Sequence, residues 1–246
     1  MHYLILILSL ILSGCVTDSQ GIVNQSNENL KVLTINLCAN WNASRKDRVD
    51  KLIEFIKAEK IDVILAQEGI RGIGQFNTIK YIAEELGYSY CQSPSFGVPG
   101  FIEYTIGVIA ASPISESKVV GCQVSGGDPI DKVPFPGSGR GLLVNTGSLW
   151  FMVSHLTVPV ERSQKEKQVQ CLMKSIPAGS VVWGGDFNFT RSDMVYPLIQ
   201  MQEAVYSGNP QVDMIFYKGI ALLNSKIVFE DHYISDHIGV LTEFRK

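Results

Sequence analysis

The stretch Ser180-Val181-Val182-Trp183-Gly184-Gly185-Asp186-Phe187-Asn188 joins an apolar run to a polar one. The apolar residues predict the end of a buried strand. The two glycines allow a sharp turn and a close approach of the backbone to a ligand. Asp186 and Asn188 are two residues apart, so in extended chain they point to the same side. An acid and an amide aimed together suit a metal-assisted phosphate site. A turn capped by the same two side chains is the alternative.

The composition indicates one globular domain with a sizeable core. The chain has 246 residues, 46% apolar and 18% charged, and a net charge of −3. This charge provides no general field for binding polyanions, although a cleft on an acidic protein can be locally basic. Four cysteines follow residue 15, at positions without metal-binding spacing, and they form either disulfides or small buried thiols. They are Cys38, Cys91, Cys122 and Cys171.

The N-terminus is predicted to lie outside the folded domain. Residues 4–12 read LILILSLIL, which is too short to span a bilayer but fits the core of a signal peptide. The following Leu12-Ser13-Gly14-Cys15 resembles the lipobox of bacterial lipoproteins, which implies that Cys15 is lipidated. We therefore expect a signal peptide at 1–15, a flexible tether at 16–29 and a domain at 30–246. An uncleaved anchor and a secreted protein cut nearby are the alternatives.

Lipidation would place the protein on the outside of a bacterial membrane, in the periplasm or at the cell surface. Val16 is not the acidic residue that marks inner-membrane retention in Gram-negative families. The resemblance therefore favours the outer membrane, if the cell has one.

Predicted strands and helices alternate along the domain. Apolar strands are predicted at 30–37 and 61–66, with a helix between them whose apolar residues recur at helical spacing. Ser44 with Asp47, and Ser163 with Glu166, read as capping boxes of two helices. Residues 125–139 are too rich in glycine and proline for regular structure. The alternation indicates a layered α/β domain, and no repeat or second linker divides it.

Polar residues recur where predicted strands end. In order they are Asn36, Glu68, His155, Asp186 with Asn188, and Asp236 with His237. Glu103, Arg140 and Asp213 lie on or beside other apolar strands. Such residues can converge on one edge of a sheet, where α/β proteins build their sites. Each residue alone also fits a structural role as a loop acid, a core histidine or a cap.

Taken together, these residues resemble the motifs of the endonuclease/exonuclease/phosphatase superfamily, typified by pancreatic-type deoxyribonucleases. The matching pieces are N-L at Asn36, Q-E at Glu68, S-H-L at His155, G-D-F-N at Asp186 and S-D-H at His237. The resemblance implies a four-layered α/β sandwich, in which two mixed, mostly antiparallel sheets pack face to face with helices outside. It also implies metal-assisted hydrolysis of a phosphate ester by in-line attack of water.

The resemblance assigns the metal to Glu68, helped by Asn36 and Asp236. Oxygen ligands suit Mg²⁺, with Mn²⁺ or Ca²⁺ as substitutes. Asp186 and Asn188 would orient the water and the scissile phosphate, or hold a second metal.

The resemblance assigns the remaining residues to proton transfer and to phosphate binding. His237 would be the general base, held by Asp213. His155, held by Glu103, would be a second proton-transfer group or a group that stabilises the phosphate. Arg140 would bind phosphate oxygens through its forked donors.

The leading interpretation is a lipid-anchored, Mg²⁺-dependent phosphodiesterase, acting as a monomer on nucleic acid. A sphingomyelinase-like or inositol-phosphate hydrolase acting on a phospholipid headgroup is the alternative, because a tether would hold the site near lipid. Residues that follow motif loops, namely Trp41, Arg71 and Arg191, are candidates to line a nucleic-acid cleft. A non-catalytic binding protein on the same fold is the alternative of another class.

Overall fold

A computed structural model describes residues 15–16, 29–38, 45–72, 76–98, 102–121, 140–147, 149–156, 162–204 and 212–246. Two β-sheets pack face to face and carry helices on their outer faces. The predicted four-layered α/β sandwich is therefore confirmed. The predicted loop at 125–139 lies outside the described residues, as do most of the predicted signal peptide and tether.

The elements follow one another along the chain as follows: β1 (Cys15–Val16), β2 (Asn29–Asn36), α1 (Arg45–Glu59), β3 (Val63–Arg71), α2 (Thr78–Leu86), β4 (Ser89–Val98), β5 (Ile102–Ala110), β6 (Glu116–Gly121), β7 (Arg140–Asn145), β8 (Trp150–His155), α3 (Arg162–Lys174), β9 (Val181–Asp186), a short 3₁₀ helix (Tyr196–Leu198), β10 (Gln202–Glu203), β11 (Asp213–Lys218), β12 (Ala221–Val228) and β13 (Gly239–Arg245). No helix in the described part of the chain is long and apolar enough to cross a membrane.

Each sheet has a parallel pair of strands near its centre. The first sheet has the order β1-β4-β5-β3-β2-β13-β12, and the second has the order β10-β11-β9-β8-β7-β6. β2 pairs with β3, and β8 with β9, in parallel, whereas all other pairings are antiparallel. Because parallel neighbours end on the same side, the last residues of each pair meet at one edge of their sheet.

Three apolar layers hold the sandwich together. Alternate residues of β2 contribute to two of these layers. Val32 packs between the sheets, and Leu33 packs towards α1 and α2. Helix α3 packs on the outer face of the second sheet, where Leu172 meets Trp183. Buried side chains on both faces explain why these central strands read as continuously apolar.

The helix termini agree with the sequence only in part. Helix α2 is capped by Asn77 and ends at Gly87, whose φ of 68° suits glycine. The structure begins α3 at Arg162, so Ser163 lies inside the first turn and the capping box predicted there is wrong. Ser44, the other predicted cap, lies outside the described residues.

Among the cysteines whose side chains the structure describes, Cys91 and Cys171 each take part in a disulfide bond. Cys38 is a buried thiol that forms no disulfide. Strand β1 pairs with β4 so that Cys15 lies opposite Cys91 in the backbone register.

Candidate functional site

Asp186, the last residue of β9, is the centre of the site. It lies opposite His155 across the parallel pairing with β8, and opposite Asp213 across the antiparallel pairing with β11. His155 Nε2 is 3.4 Å from Asp186 Oδ2. Strand register alone therefore brings two carboxylates and an imidazole from three distant segments to one point.

The two glycines before Asp186 belong to β9 and make no turn, so the turn expected at this point is absent. A Cβ added to Gly185 would lie 2.2 Å from the carbonyl oxygen of Ser154, and one added to Gly184 would lie 2.7 Å from Leu65 Cδ1. Both distances are too short for real atoms. The glycines serve close packing, which lets β9 lie against β8 and against the opposite sheet.

Glu68 reaches the site through an irregularity in β3. The pairing register of β3 with β5 shifts between Ala66 and Gly69, and Glu68 has a positive φ of 51°. Because a bulged residue changes the direction of its side chain, Glu68 does not follow the alternation of the strand. Its side chain stays 25% exposed, so a solute can reach this carboxylate.

Asn36, at the end of β2, links the two carboxylates. Its Nδ2 donates to Glu68 Oε1 at 3.1 Å and to Asp186 Oδ2 at 3.2 Å. Its Oδ1 accepts from the backbone N–H of Cys38 at 2.9 Å. Asn36 therefore acts here as a donor that positions two acids. The metal-ligand role predicted for Asn36 uses the oxygen and requires the amide to turn over.

Asn188 follows Asp186 in a left-handed conformation, with φ 49°. Its backbone N–H donates to Asp186 Oδ1 at 2.9 Å, and its Nδ2 donates to the carbonyl oxygen of Leu156 at 2.7 Å. The amide side chain is thus used to hold the loop after β9 against the loop after β8. Asn188 fixes the orientation of the Asp186 carboxylate.

Sequence reasoning missed Lys165, a buried residue of α3. Its Nζ donates to the carbonyl oxygen of Asn188 at 2.9 Å and lies 3.6 Å from Asp193 Oδ2. A signal was available, because Lys165 shares the buried face of α3 with Gln168, Val169 and Leu172 at helical spacing. A lysine at a core-facing position indicates a buried partner.

His237 is held by Asp213, as predicted. Asp213 Oδ2 lies 2.8 Å from His237 Nδ1, and His237 Nε2 lies 3.9 Å from Asp186 Oδ2. The hydrogen bond with Asp213 raises the pKa of His237 from 6.5 to about 9, against the opposing effect of burial. Burial raises the pKa of Asp213 from 3.8 to about 6, which the bond with His237 opposes. Near neutral pH the pair is an ionised Asp213 and a protonated His237.

Asp236 lies beside this pair on the exposed side of the loop before β13. Partial burial acts to raise the pKa of Asp236, but the hydrogen bond with Cys38 and the charge of His237 lower it overall. Ser235 Oγ accepts from the backbone N–H of His237 at 3.1 Å and fixes the loop. Asp236 is therefore an ionised, accessible carboxylate next to the histidine.

Two other predicted site residues lie in neighbouring strands. Glu103 sits opposite Arg71 in the register of β5 with β3 and forms an ion pair with it. Its predicted support of His155 stays a prediction. Arg140 begins β7 and precedes Gly141, which lies opposite Ser154, so Arg140 is near the end of β8 that carries His155. Among the described residues, Arg140 has no ion pair or side-chain hydrogen bond, and its phosphate role stays a prediction.

The donor set fits a hard divalent cation. Glu68, Asp186 and Asp236 offer carboxylate oxygens, which Mg²⁺ prefers. Ligand-type atoms of Asp186, Asp213 and His237 also lie within 4.8 Å of one another. The 2.8 Å hydrogen bond between Asp213 and His237 leaves no room for a cation between these two side chains. Glu68 and Asp236, whose side chains are more exposed than that of Asp186, are therefore the residues that could hold a cation beside it.

Solved structures with the same fold include enzymes that act on phosphate esters. An endonuclease/exonuclease/phosphatase family protein from Leptotrichia buccalis aligns with a TM-score of 0.71 at 18% identity, over 88% of this chain and 100% of that one. A mannosyl-6-phosphatase from Bacteroides thetaiotaomicron gives 0.64 at 14% identity, over 87% and 99%. TDP2 from D. rerio, complexed with a single strand DNA product, gives 0.61 at 16% identity, over 89% and 100%.

These identities establish a shared fold and nothing finer. A search of curated protein sequences finds no significant match. The family model described as "Endonuclease/Exonuclease/phosphatase family" matches residues 33–237, the span from β2 to His237. The chain belongs to the endonuclease/exonuclease/phosphatase family, whose members hydrolyse phosphoester bonds.

Proposed function

We propose that this protein is a divalent-metal-dependent phosphodiesterase that cleaves nucleic acid by in-line attack of water. One observation supports this most strongly. Glu68 of the first sheet and Asp186 of the second are joined through Asn36, with His155 Nε2 3.9 Å from the first carboxylate and 3.4 Å from the second. Two acids held this close to histidines suit a cation and a phosphate.

Glu68 and Asp236 would hold the cation, with Asp186 completing the set. When bound, a divalent cation would neutralise the carboxylates, polarise a phosphoryl oxygen and acidify neighbouring water and imidazolium groups. Mg²⁺ is our first choice, and Mn²⁺ or Ca²⁺ are the substitutes.

The protein's own groups would move protons and orient the reactants. His237 would exchange a proton with water at Nε2, since Nδ1 is occupied by Asp213. Asp186, fixed by Asn188, would orient that water. His155 would stabilise the phosphate or protonate the leaving oxygen, because its Nε2 faces both acids.

A substrate panel tests this function. The purified protein is assayed on duplex DNA, single-stranded DNA, RNA, sphingomyelin and inositol phosphates, each with Mg²⁺ and with EDTA. We expect metal-dependent cleavage of nucleic acid. Cleavage of sphingomyelin or inositol phosphates with nucleic acid left intact would instead establish the lipid or inositol alternative.

Substitution of Glu68 separates an enzyme from a non-catalytic binding protein. Glu68→Ala is expected to abolish turnover of every substrate that the wild-type protein cleaves, because the accessible acid of the site is lost. The matched control is Glu85→Ala, an exposed glutamate of α2, which should leave the rate unchanged. Turnover that survives Glu68→Ala would remove the assignment of Glu68.

We also propose that the protein is exported and lipid-anchored through Cys15. The apolar segment at 4–12 and the lipobox-like residues before Cys15 support this, and the disulfide-bonded Cys91 and Cys171 suit an oxidising compartment. Cys15 lies opposite Cys91 in the register, and a lipidated thiol cannot also form a disulfide. Mass spectrometry of the Cys15 peptide under non-reducing conditions distinguishes a lipidated Cys15 from a disulfide-bonded one. A Cys15 disulfide would contradict lipidation.

A further inference from the structure

Arg48 of α1 is a half-buried cation with no anionic partner among the residues that the structure describes. Its Nε is buried and has no hydrogen-bond partner. The whole guanidinium forms no hydrogen bond and no ion pair with any residue that the structure describes. Burying an unpaired charged donor is costly unless a partner satisfies it. Within the described part of the chain, nothing supplies the anionic partner that this guanidinium would need.

The position of Arg48 indicates what that ligand is. Arg48 lines a small pocket together with Leu37 and Ile234. Leu37 follows Asn36 directly, and Ile234 precedes Ser235 and Asp236. Arg48 thus lies on the helix side of the first sheet, against residues that directly follow Asn36 and closely precede Asp236.

Two further side chains extend this surface. Lys51 follows Arg48 by three residues on α1, so the two share one side of the helix. Lys51 Nζ lies 4.1 Å from the centroid of the Tyr233 ring, and Tyr233 is 45% exposed. Tyr233 precedes Asp236 by three residues. An accessible aromatic ring beside a cation is the kind of surface on which unpaired bases stack.

Three other cations near the motif loops are already neutralised. Arg71 is paired with Glu103, Arg191 with Glu203, and Lys46 with Asp50. Arg71 and Arg191, which the sequence indicates as cleft residues, therefore have intramolecular partners. Arg140 and Arg48 have none among the described residues, but only Arg48 lies on the same helix as Lys51, the cation that contacts the exposed Tyr233 ring. This combination favours α1 and the loop before β13 as a substrate-binding side.

We propose that Arg48, Lys51 and Tyr233 form a binding subsite beside the carboxylates, which takes the phosphate and the stacked base of a neighbouring nucleotide in single-stranded nucleic acid. The inference rests on the proposed phosphodiesterase function and adds a substrate class to it. Single strands are favoured because a base must leave its duplex stack to lie on the Tyr233 ring.

The test compares a strand with a minimal diester. Arg48→Gln, Lys51→Gln and Tyr233→Ser are assayed on a fluorescent single-stranded oligonucleotide and on bis(p-nitrophenyl) phosphate. Lys57→Gln, an exposed lysine in the last turn of the same helix, is the matched control. We expect the oligonucleotide KM to rise about 5- to 50-fold in each variant, while kcat/KM for the small diester stays within about twofold of wild type. Loss of one phosphate contact should also lower the salt slope of oligonucleotide binding by about 0.7.

Binding in EDTA separates this inference from the proposed function. Fluorescence anisotropy follows the same oligonucleotide without turnover. If wild-type protein cleaves neither substrate but the variants still weaken binding, the subsite stands and the phosphodiesterase function fails. Equal losses on both substrates, or unchanged oligonucleotide binding, would overturn the subsite.

Two further measurements cover folding and the lipid alternative. Lys51 and Tyr233 are exposed, so their variants test the inference even if Arg48→Gln does not fold. Sedimentation with phosphatidylglycerol vesicles is measured in parallel. A Tyr233→Ser variant that loses vesicle binding but keeps oligonucleotide binding would assign the surface to lipid and contradict the proposal.

Discussion

Asp213 Oδ2 lies 2.8 Å from His237 Nδ1, although 24 residues separate them along the chain. Asp213 begins β11, beside Asp186, and His237 lies in the loop before β13 of the opposite sheet. The bond therefore spans the two sheets. It fixes the ring so that Nε2 faces Asp186.

Removal of the Asp213 charge should impair proton transfer. An amide at this position cannot stabilise the imidazolium, so Asp213→Asn should lower kcat by about 10²- to 10⁴-fold with a smaller effect on KM. The control is Asp47→Asn, an exposed acid of α1. Steady-state kinetics on a small phosphodiester measures both, and an unchanged kcat for Asp213→Asn would contradict the assigned role.

The same pair should make stability depend on pH in the metal-free protein. The pKa of His237 is raised from 6.5 to about 9, so the folded state binds this proton more tightly than the unfolded state. The stabilisation is fully present below about pH 6.5 and is lost as pH rises through about 9. The raised pKa of Asp213 acts in the same direction at lower pH, between 3.8 and about 6.

Urea unfolding in EDTA at several pH values measures this effect. In wild type, the free energy of unfolding should fall by up to about 3 kcal/mol as the pH rises from 6.5 to about 9, the range over which His237 loses its proton. His237→Gln should remove that fall, because glutamine does not titrate. An identical pH profile in the two proteins would contradict the raised pKa.

Lys165 is predicted to position the loop after β9. Lys165→Met would leave the partly buried carbonyl of Asn188 without its donor, so we expect a loss of about 1–3 kcal/mol in stability. Because Asn188 orients Asp186, kcat should fall more than KM changes, and Lys165→Arg should restore part of it. The control is Lys167→Met, an exposed neighbour on α3. Equal effects of the Met and Arg variants on kcat would contradict a positioning role.

The two glycines of β9 should differ in their tolerance of a methyl group. Gly185→Ala places a Cβ 2.2 Å from the backbone oxygen of Ser154, whereas Gly184→Ala meets the flexible end of Leu65. Gly185→Ala should therefore force β8 and β9 apart and destabilise by about 3 kcal/mol or more, with Gly184→Ala costing less. Thermal unfolding of both variants checks this order. A larger loss of stability in Gly184→Ala than in Gly185→Ala would contradict the prediction.

The sequence by itself determined the fold class and most of the site. Continuous apolar runs identify central strands, and acids, amides and histidines at their ends identify the edge where a site forms. Asn36, His155, Asp186 and His237 are placed at this edge by local patterns that mark strand ends. Glu68 is predicted to follow a strand at 61–66, but it lies inside β3, which runs from Val63 to Arg71, and reaches the site through a bulge. The partnership of His237 with Asp213 was expected only through the family resemblance.

Only the tertiary structure decided how these side chains face one another. The direction of Glu68 depends on a bulge with positive φ, and the donor role of Asn36 depends on the bond from Cys38 to its oxygen. Lys165 and Arg48 lie on helices, where sequence patterns show the buried face but not the partner. Such contacts join segments that are far apart in the chain, so they depend on strand register and packing, which local sequence does not specify.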